Sequence, residues 1–261
     1  MATLTNNVQE HTTHHKMNMT DHALANFDSH LQQNPYPGRG IVVGKIKGEE
    51  WIQIYWIMGR SENSRNRIFH HESNILRTQA ADPKKVEDPS LIIYNAMREL
   101  DKCYIVSNGS HTDVIYDAAE ARRPLEEALA EEKHEPDAPN FTPRISACLN
   151  LHRKKEPLCL SIIKAKPQNT DASERCFFRY DTVPEGYGYG VTTYQSDGNP
   201  LPSFQGEPLL FPLQGNAQDI AKTYWNALNK DNRISLAVKS IHPESETSSL
   251  IVMNRHSSSH S

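Results

Sequence analysis

Residues 145–183 contain three apolar runs in succession, ISACLNL (145–151), LCLSIIKAK (158–166) and ERCFFRYDTV (174–183). Each is rich in β-branched, aromatic or other apolar residues, and polar stretches separate them, which is the pattern of consecutive strands. The same texture recurs upstream. GRGIVVGKIK (38–47) and EEWIQIYWIMGR (49–60) flank Gly48 and predict an antiparallel hairpin. CYIVSN (103–108) predicts a strand ended by the Asn108-Gly109 turn pair, and ISLAVKSI (234–241) and SSLIVMN (248–254) predict two more. Strands that arrive in hairpin-like runs, rather than in strand–helix–strand alternation, favour an α+β fold with mostly antiparallel sheets.

Helical signals fall between these runs. HTDVIYDAAEARRPLEEALAEEKHE (111–135) has helical spacing with Pro124 as a break, and NAQDIAKTYWNALNK (216–230) predicts a second helix. DPSLIIYNAMREL (88–100) reads two ways. Asp88 and Pro89 suit a helix start, while Ile92, Ile93 and Tyr94 equally suit a strand. The expected total is seven or eight strands and three helices. Residues 1–34 are rich in Asn, Thr, His and Gln and are expected to form a polar, disordered extension with a short helix around DHALANFDSHLQQ (21–33). One domain over residues 35–252 and a polar tail over 253–261 complete the expected organisation.

Composition narrows the function. Lys and Arg total 28 against 32 Asp and Glu, a net charge of −4, which is the wrong field for coating nucleic acid. No apolar run reaches the roughly 18 residues of a membrane span, and the first twenty residues have no secretory core, so a cytoplasmic protein without membrane partners is expected. Cys103, Cys148, Cys159 and Cys176 are scattered with no zinc-ligand spacing and are expected to be buried, reduced thiols. His11, His14 and His15 lack partner ligands, so no metal site is expected.

Three segments carry candidate chemistry. GRSENSRNRIF (59–69) sets Arg60, Arg65, Asn66 and Arg67 just after a strand, where guanidinium forks can grip a phosphate or carboxamide. SNGSHTD (107–113) is the densest polar cluster. Ser110 or Thr112 is expected to cap the following helix, and backbone N–H groups to meet a ligand; Ser110, His111 and Asp113 lie too close in sequence for a nucleophilic triad. KHEPDAPNFTPRI (133–145) brings Glu135 and Asp137 near Arg144, as a proton acceptor or as a simple salt-bridged loop. GYGYG (186–190) has neither the spacing nor the following helix of a dinucleotide loop.

YPGRGIVVG (36–44), GRSENSRNR (59–67), DPSLIIYNAMRE (88–99), YIVSNGSHTD (104–113), NFTPRISACLN (140–150) and VPEGYGYGVTTYQ (183–195) occur in the order found in archaeal-type IMP cyclohydrolases, which the chain resembles over residues 36 to 245. The resemblance implies a four-layered αββα sandwich of the N-terminal-nucleophile-hydrolase type. It also implies closure of 5-formamidoimidazole-4-carboxamide ribotide to IMP with loss of water, without a cofactor. Carried over by motif, Arg67, Tyr94 and Glu135 are the implied catalytic residues. Arg39, Asn66, Asn95, Asn108, His111 and Arg144 are implied to bind substrate. The partner implied is a small purine ribotide, with a homo-oligomer allowed. Two other readings stay open: a purine-nucleotide-binding protein without turnover, and an amidohydrolase acting on a related formylated ribotide. The sequence departs from the family in about 35 additional residues before YPGR, in an insertion after GRS and in a longer C-terminal end. No Ser, Thr or Cys then begins the core strand, which fits a reaction whose substrate supplies its own nucleophile.

Overall fold

In the computed structural model, residues 18–86, 89 and 92–256 are described. The first hairpin forms as the sequence indicates, from β1 (Gly40–Lys45) and β2 (Trp51–Met58). Every residue of β2 is buried, because it is central in its sheet and covered on both faces. β1 pairs on its other side with β10 (Tyr187–Thr192), which pairs with β11 (Leu209–Pro212). β2 pairs with β12 (Arg233–His242), and β12 with β13 (Thr247–Asn254). This gives a six-stranded sheet in the order β11-β10-β1-β2-β12-β13.

The second sheet has seven strands in simple meander order, β3 to β9. They are β3 (Ile68–Glu72), β4 (Ile75–Gln79), β5 (Asn95–Leu100), β6 (Cys103–Ser107), β7 (Arg144–Asn150), β8 (Leu158–Lys166) and β9 (Asn169–Tyr180). Every pairing in both sheets is antiparallel, and 145–180 supplies three adjacent strands as read from sequence. Of the ambiguous segment, Asn95–Leu100 forms β5 and Ile92, Ile93 and Tyr94 precede it; Asp88 lies outside the described residues. The predicted strand total falls short of the 13 among the described residues. Those missed are β3, β4, β10 and β11. Within β10, Gly188 and Gly190 weaken the strand signature, yet a Cβ on Gly190 would come within 2.8 Å of Phe211 and Val42. The sheet packs there only because glycine leaves room.

Three apolar clusters define the layers. One lies between the sheets and joins Ile41, Tyr55 and Ile57 to Met97, Val106 and Leu160. A second lies on the outer face of the six-stranded sheet, beneath α1 (Met19–Phe27) and α5 (Ala217–Ala227). The third lies on the outer face of the seven-stranded sheet, beneath α3 (His111–Glu120) and α4 (Leu125–Ala128). The sequence of layers is helix, sheet, sheet, helix. α5 starts with a reciprocal capping box between Asn216 and Asp219, and Pro124 separates α3 from α4 as expected. Ser110 does not cap α3 with its side chain. Ser107 and Thr112 hydroxyls bond each other instead, and Thr112 donates to the Gly109 carbonyl. No described helix is long and apolar enough to cross a membrane.

The helix around residues 21–33 exists and packs on the sheet. Ala23, Phe27 and Leu31 recur four residues apart and enter the outer core of the six-stranded sheet, with Phe27 edge-on to Tyr224. α1 is followed by a π-helical turn, Asp28–Gln32, that seats His30 on the Thr192 hydroxyl at 2.8 Å. Residues 18–34 therefore depart from the expected polar extension. The expectations for residues 1–17, including His11, His14 and His15, and for residues 257–261 lie outside the described residues. Leu31→Ala should cost about 2–5 kcal/mol, the price of a buried leucine truncation. Leu24→Ala, at a 46% exposed position of the same helix, should stay within about 0.5 kcal/mol. Urea titrations decide the matter, and equal midpoints for the two variants would show that the helix contributes nothing to the core.

Two buried histidines make stability pH-dependent. Burial pushes His30 down to about 4 from an ordinary 6.5. Burial and then the Arg144 cation push His111 down to about 3. Above the ordinary value neither the folded nor the unfolded chain binds these protons, so the fold bears no penalty. Below it the unfolded chain takes them up while the fold refuses them, and stability falls as pH drops from 6.5 toward 4. The urea midpoint should therefore decline between about pH 7.5 and about pH 5. His111→Gln, compared with its own midpoint at the higher pH, should decline less steeply than the parent. Parallel slopes would remove His111 from this account.

Candidate functional site

A cavity of about 320 Å³ opens where the front of β1 meets the loops after β2 and before β7. Gly38 precedes it with φ +73, a left-handed conformation that a side chain would resist, and a Cβ there would lie 2.2 Å from the Thr193 hydroxyl. This turn delivers Arg39 into the interior, where its backbone pairs with Thr193. The Arg39 guanidinium donates from Nη1 to the Asn108 carbonyl at 3.0 Å and from Nη2 to Glu135 Oε2 at 2.9 Å. Arg39 and Glu135 are 8% and 4% exposed, so this is a buried ion pair. Burial works against the Arg39 charge, but Glu135 more than compensates and holds Arg39 firmly protonated.

Arg67 enters the same cavity from the loop after α2 (Glu62–Arg65). It is 4% exposed, and its Nε donates to the Ser64 carbonyl at 2.8 Å. Nη2 makes a longer contact of 3.4 Å to the Met58 carbonyl. Among the described residues, no carboxylate lies within ion-pair distance of Arg67 and its Nη1 donates to nothing. A buried cation without a counter-ion is an anion or carbonyl-oxygen receptor.

Tyr94 lies beside these arginines, buried at 5% exposure, with its hydroxyl 2.6 Å from that of Tyr55 on β2. Burial, then the neighbouring Tyr94, raise Tyr55 well above the ordinary phenol range, so it keeps its proton. Both hydroxyls interact electrostatically with Arg39. The cavity mouth is formed by Tyr36 and Arg60, with the Arg60 guanidinium 4.8 Å from the Tyr36 ring centroid and ion-paired to Asp197. Tyr194 stacks on Tyr36 and bonds the Thr142 hydroxyl, which in turn bonds Asp137. Asn63 Oδ1 is a buried acceptor lacking a partner among the described residues. That residue also lines the cavity.

The structure thus brings together Arg39, Arg67, Glu135 and Tyr94. It directs the other motif residues elsewhere. Asn66 spans to the Asp82 backbone, with Nδ2 to the carbonyl at 2.8 Å and Oδ1 to the amide at 2.7 Å. Asn95 donates to Asp113 on α3, on the outer face of the sheet. Arg67 lines the cavity while Asn66, the residue that caps the end of α2, turns to Asp82, and Tyr94 turns to Tyr55 while its neighbour Asn95 turns to Asp113. The Asn108 side chain braces Pro143 and Ile145, and only its carbonyl serves Arg39. His111 Nε2 donates to the Ile145 carbonyl, leaving Nδ1 to accept from Arg144 at 3.2 Å. Arg144 also donates to the Lys133 carbonyl, and Arg65 to Gly59 and Asn232. Tyr36, Tyr55, Tyr194 and Asn63 were not singled out from sequence. Tyr55 had a signal: it is a hydroxyl in an otherwise apolar strand, two residues from Ile57 on the face turned to the second sheet. Among the described residues, no group of three or more His, Cys, Asp or Glu is arranged to hold a metal ion.

Known proteins match part of this chain. It is 33% identical over 121 residues to a Methanocella arvoryzae protein named IMP cyclohydrolase, covering 45% of this chain and 59% of that one. A Methanococcus aeolicus protein of the same name is 30% identical over 119 residues, covering 44% and 58%. A third, from Methanopyrus kandleri, is 29% identical over 163 residues, covering 61% and 75%. The first two matches thus span under two thirds of those relatives' lengths. A sequence model of the family described as IMP cyclohydrolase-like protein matches residues 36–246. That span runs from Tyr36 at the cavity mouth past every residue of the site, and the chain belongs to the IMP cyclohydrolase-like protein family.

Proposed function

We propose that this chain closes 5-formamidoimidazole-4-carboxamide ribotide to IMP, releasing water. The observation that carries the reading is the buried Arg67, free of a carboxylate partner among the described residues, sharing a cavity with the Arg39–Glu135 pair and adjoining the Tyr94 hydroxyl. The names of the relatives point the same way. A cavity of about 320 Å³ falls within the range of small-ligand pockets.

In this reading the substrate's carboxamide nitrogen attacks its own formyl carbon. The formyl oxygen becomes a hydroxyl and leaves as water. Holding the formamide over the carboxamide supplies proximity. Charge developing on the formyl oxygen is met by Tyr94, with Arg67 as the cation beside it. The mechanism has Tyr55 donate to the Tyr94 oxygen, 2.6 Å away, so that the Tyr94 proton is directed at substrate. Glu135, fixed by Arg39, relays the amide proton. Arg65 and Arg144 do not line the cavity, whereas Arg60 does, beside Ser61 and Ser64, so the ribotide phosphate is assigned to Arg60, which exchanges its Asp197 partner for it. No cofactor takes part.

Formation of IMP from the formylated ribotide, followed by absorbance, tests the reading directly. Tight IMP binding without turnover would give the site to a binding protein, and release of formate would give it to an amidohydrolase. Tyr94→Phe should lower kcat by about 10- to 1000-fold with little change in IMP affinity. Tyr55→Phe should lower it less and leave KM unchanged. Arg67→Ala should be the most damaging, because neighbouring polar atoms lose their partner along with the charge. A variant of Arg67 that raised KM and preserved saturating turnover would move this arginine to the phosphate. Activity should survive exhaustive chelation. Loss restored by a divalent ion would overturn the cofactor-free route.

A further inference from the structure

The outer face of the seven-stranded sheet holds a second cavity, of about 650 Å³, between the strands and the α3–α4 helices. It is larger than the candidate active site and none of the chemistry above uses it. Three of the four cysteines line it, Cys103, Cys148 and Cys159. The strand register explains their gathering. Cys148 on β7 stands directly opposite Cys159 on β8, and on its other side opposite Ile105 of β6, two residues from Cys103. All three thiols therefore share one face across three neighbouring strands.

Within this group the diagonal pair is the close one. Cys103 Sγ and Cys148 Sγ are 3.5 Å apart, and all four cysteines are free. A disulfide needs a sulfur separation of about 2.05 Å, so closure brings the two sulfurs about 1.5 Å nearer. The two thiols are also chemically unequal. The hydrogen bond from Cys148 lowers Cys103 below the ordinary thiol value, and the same bond, with burial, raises Cys148. Burial pushes Cys159 up to about 11. The two sulfurs touch, so once one of them is oxidised the other is in place to resolve it.

We propose that Cys103 and Cys148 form a redox-active dithiol, closed to a disulfide by a hydroperoxide that reaches the pair through this cavity. The Cys103 thiolate attacks the outer peroxide oxygen, the O–O bond breaks, and the alcohol or water departs with a proton. Cys103 is now a sulfenic acid. Cys148 sulfur then attacks that sulfur, the S–O bond breaks, and a second water leaves. The two thiols lose two protons and two electrons, and the peroxide takes them up. A dithiol reductant reverses the change.

The test uses the full chain, reduced, desalted and exposed to hydrogen peroxide, then blocked with a maleimide and mapped by mass spectrometry. The expected product lacks two hydrogens and yields one linked peptide pair joining Cys103 to Cys148, removable with dithiothreitol. Closure should outpace oxidation of Cys176, which lies outside the cavity, by at least about tenfold. Cys159→Ser should still form the link. Cys148→Ala should abolish it and leave Cys103 open to dimedone, the reagent for sulfenic acids; circular dichroism establishes that the variant is folded. Linkage of Cys148 to Cys159, equal oxidation of all four thiols, or a folded parent that forms no link would each overturn the proposal.

Discussion

A guanidinium taken out of water must be answered by a carboxylate and by acceptors at every remaining fork, or the fold bears an uncompensated charge. Arg39 sets that condition here. It sits at the leading end of β1 in one sheet, its Nη1 is held by the carbonyl that ends β6 in the other, and its Nη2 by Glu135 from the segment leading to β7. Three separate parts of the chain therefore have to arrive together for one side chain to be satisfied. Removing a single partner from a buried pair of this kind typically costs about 3–5 kcal/mol. Gly38 and the Asn108 side-chain bonds to Pro143 and Ile145 follow from the same demand, since each fixes one of the three arms.

With Arg39 neutralised, Arg67 becomes the charge that matters for a ligand. The two arginines lie in one cavity but differ in what surrounds them. One is balanced by Glu135, and the other is solvated only by carbonyl oxygens among the described residues. That asymmetry suits a reaction in which charge gathers on a single oxygen while a proton moves nearby. It also leaves Arg67 without a carboxylate partner among the described residues. The Tyr55–Tyr94 hydroxyl pair brings a strand of the first sheet to bear on the segment leading into β5 of the second.

The architecture was largely legible. Apolar runs at 38–47, 49–60, 103–108, 145–151 and 158–166 are strands because sheets buried on both faces require continuous hydrophobic sequence. What escaped reading was structure with mixed composition. β3 and β4 expose His70, His71 and Arg77, so their alternation is blurred, and β10 alternates glycine with tyrosine to admit Phe211. α1 hides a clean Ala23, Phe27 and Leu31 stripe among Asn, Asp, His and Gln. In the site, motif matching singled out Arg67, Tyr94 and Glu135 together with the neighbours Asn66 and Asn95. It could not tell which member of each adjacent pair faces inward, because that depends on the direction of the chain as it leaves the sheet. Tyr36 and Tyr194 meet across a distance of more than 150 residues, with nothing local to announce it.

The cavity is bounded by elements of both sheets, and this ties occupancy to the docking of one layer on the other. A molecule bound there can remain only while the layers stay together, so it acts as a reversible clamp on the sandwich. Held at a hundred times its dissociation constant, it would add about 2.7 kcal/mol to the resistance against opening. The concentration of such a ligand would then govern how long the chain survives proteases.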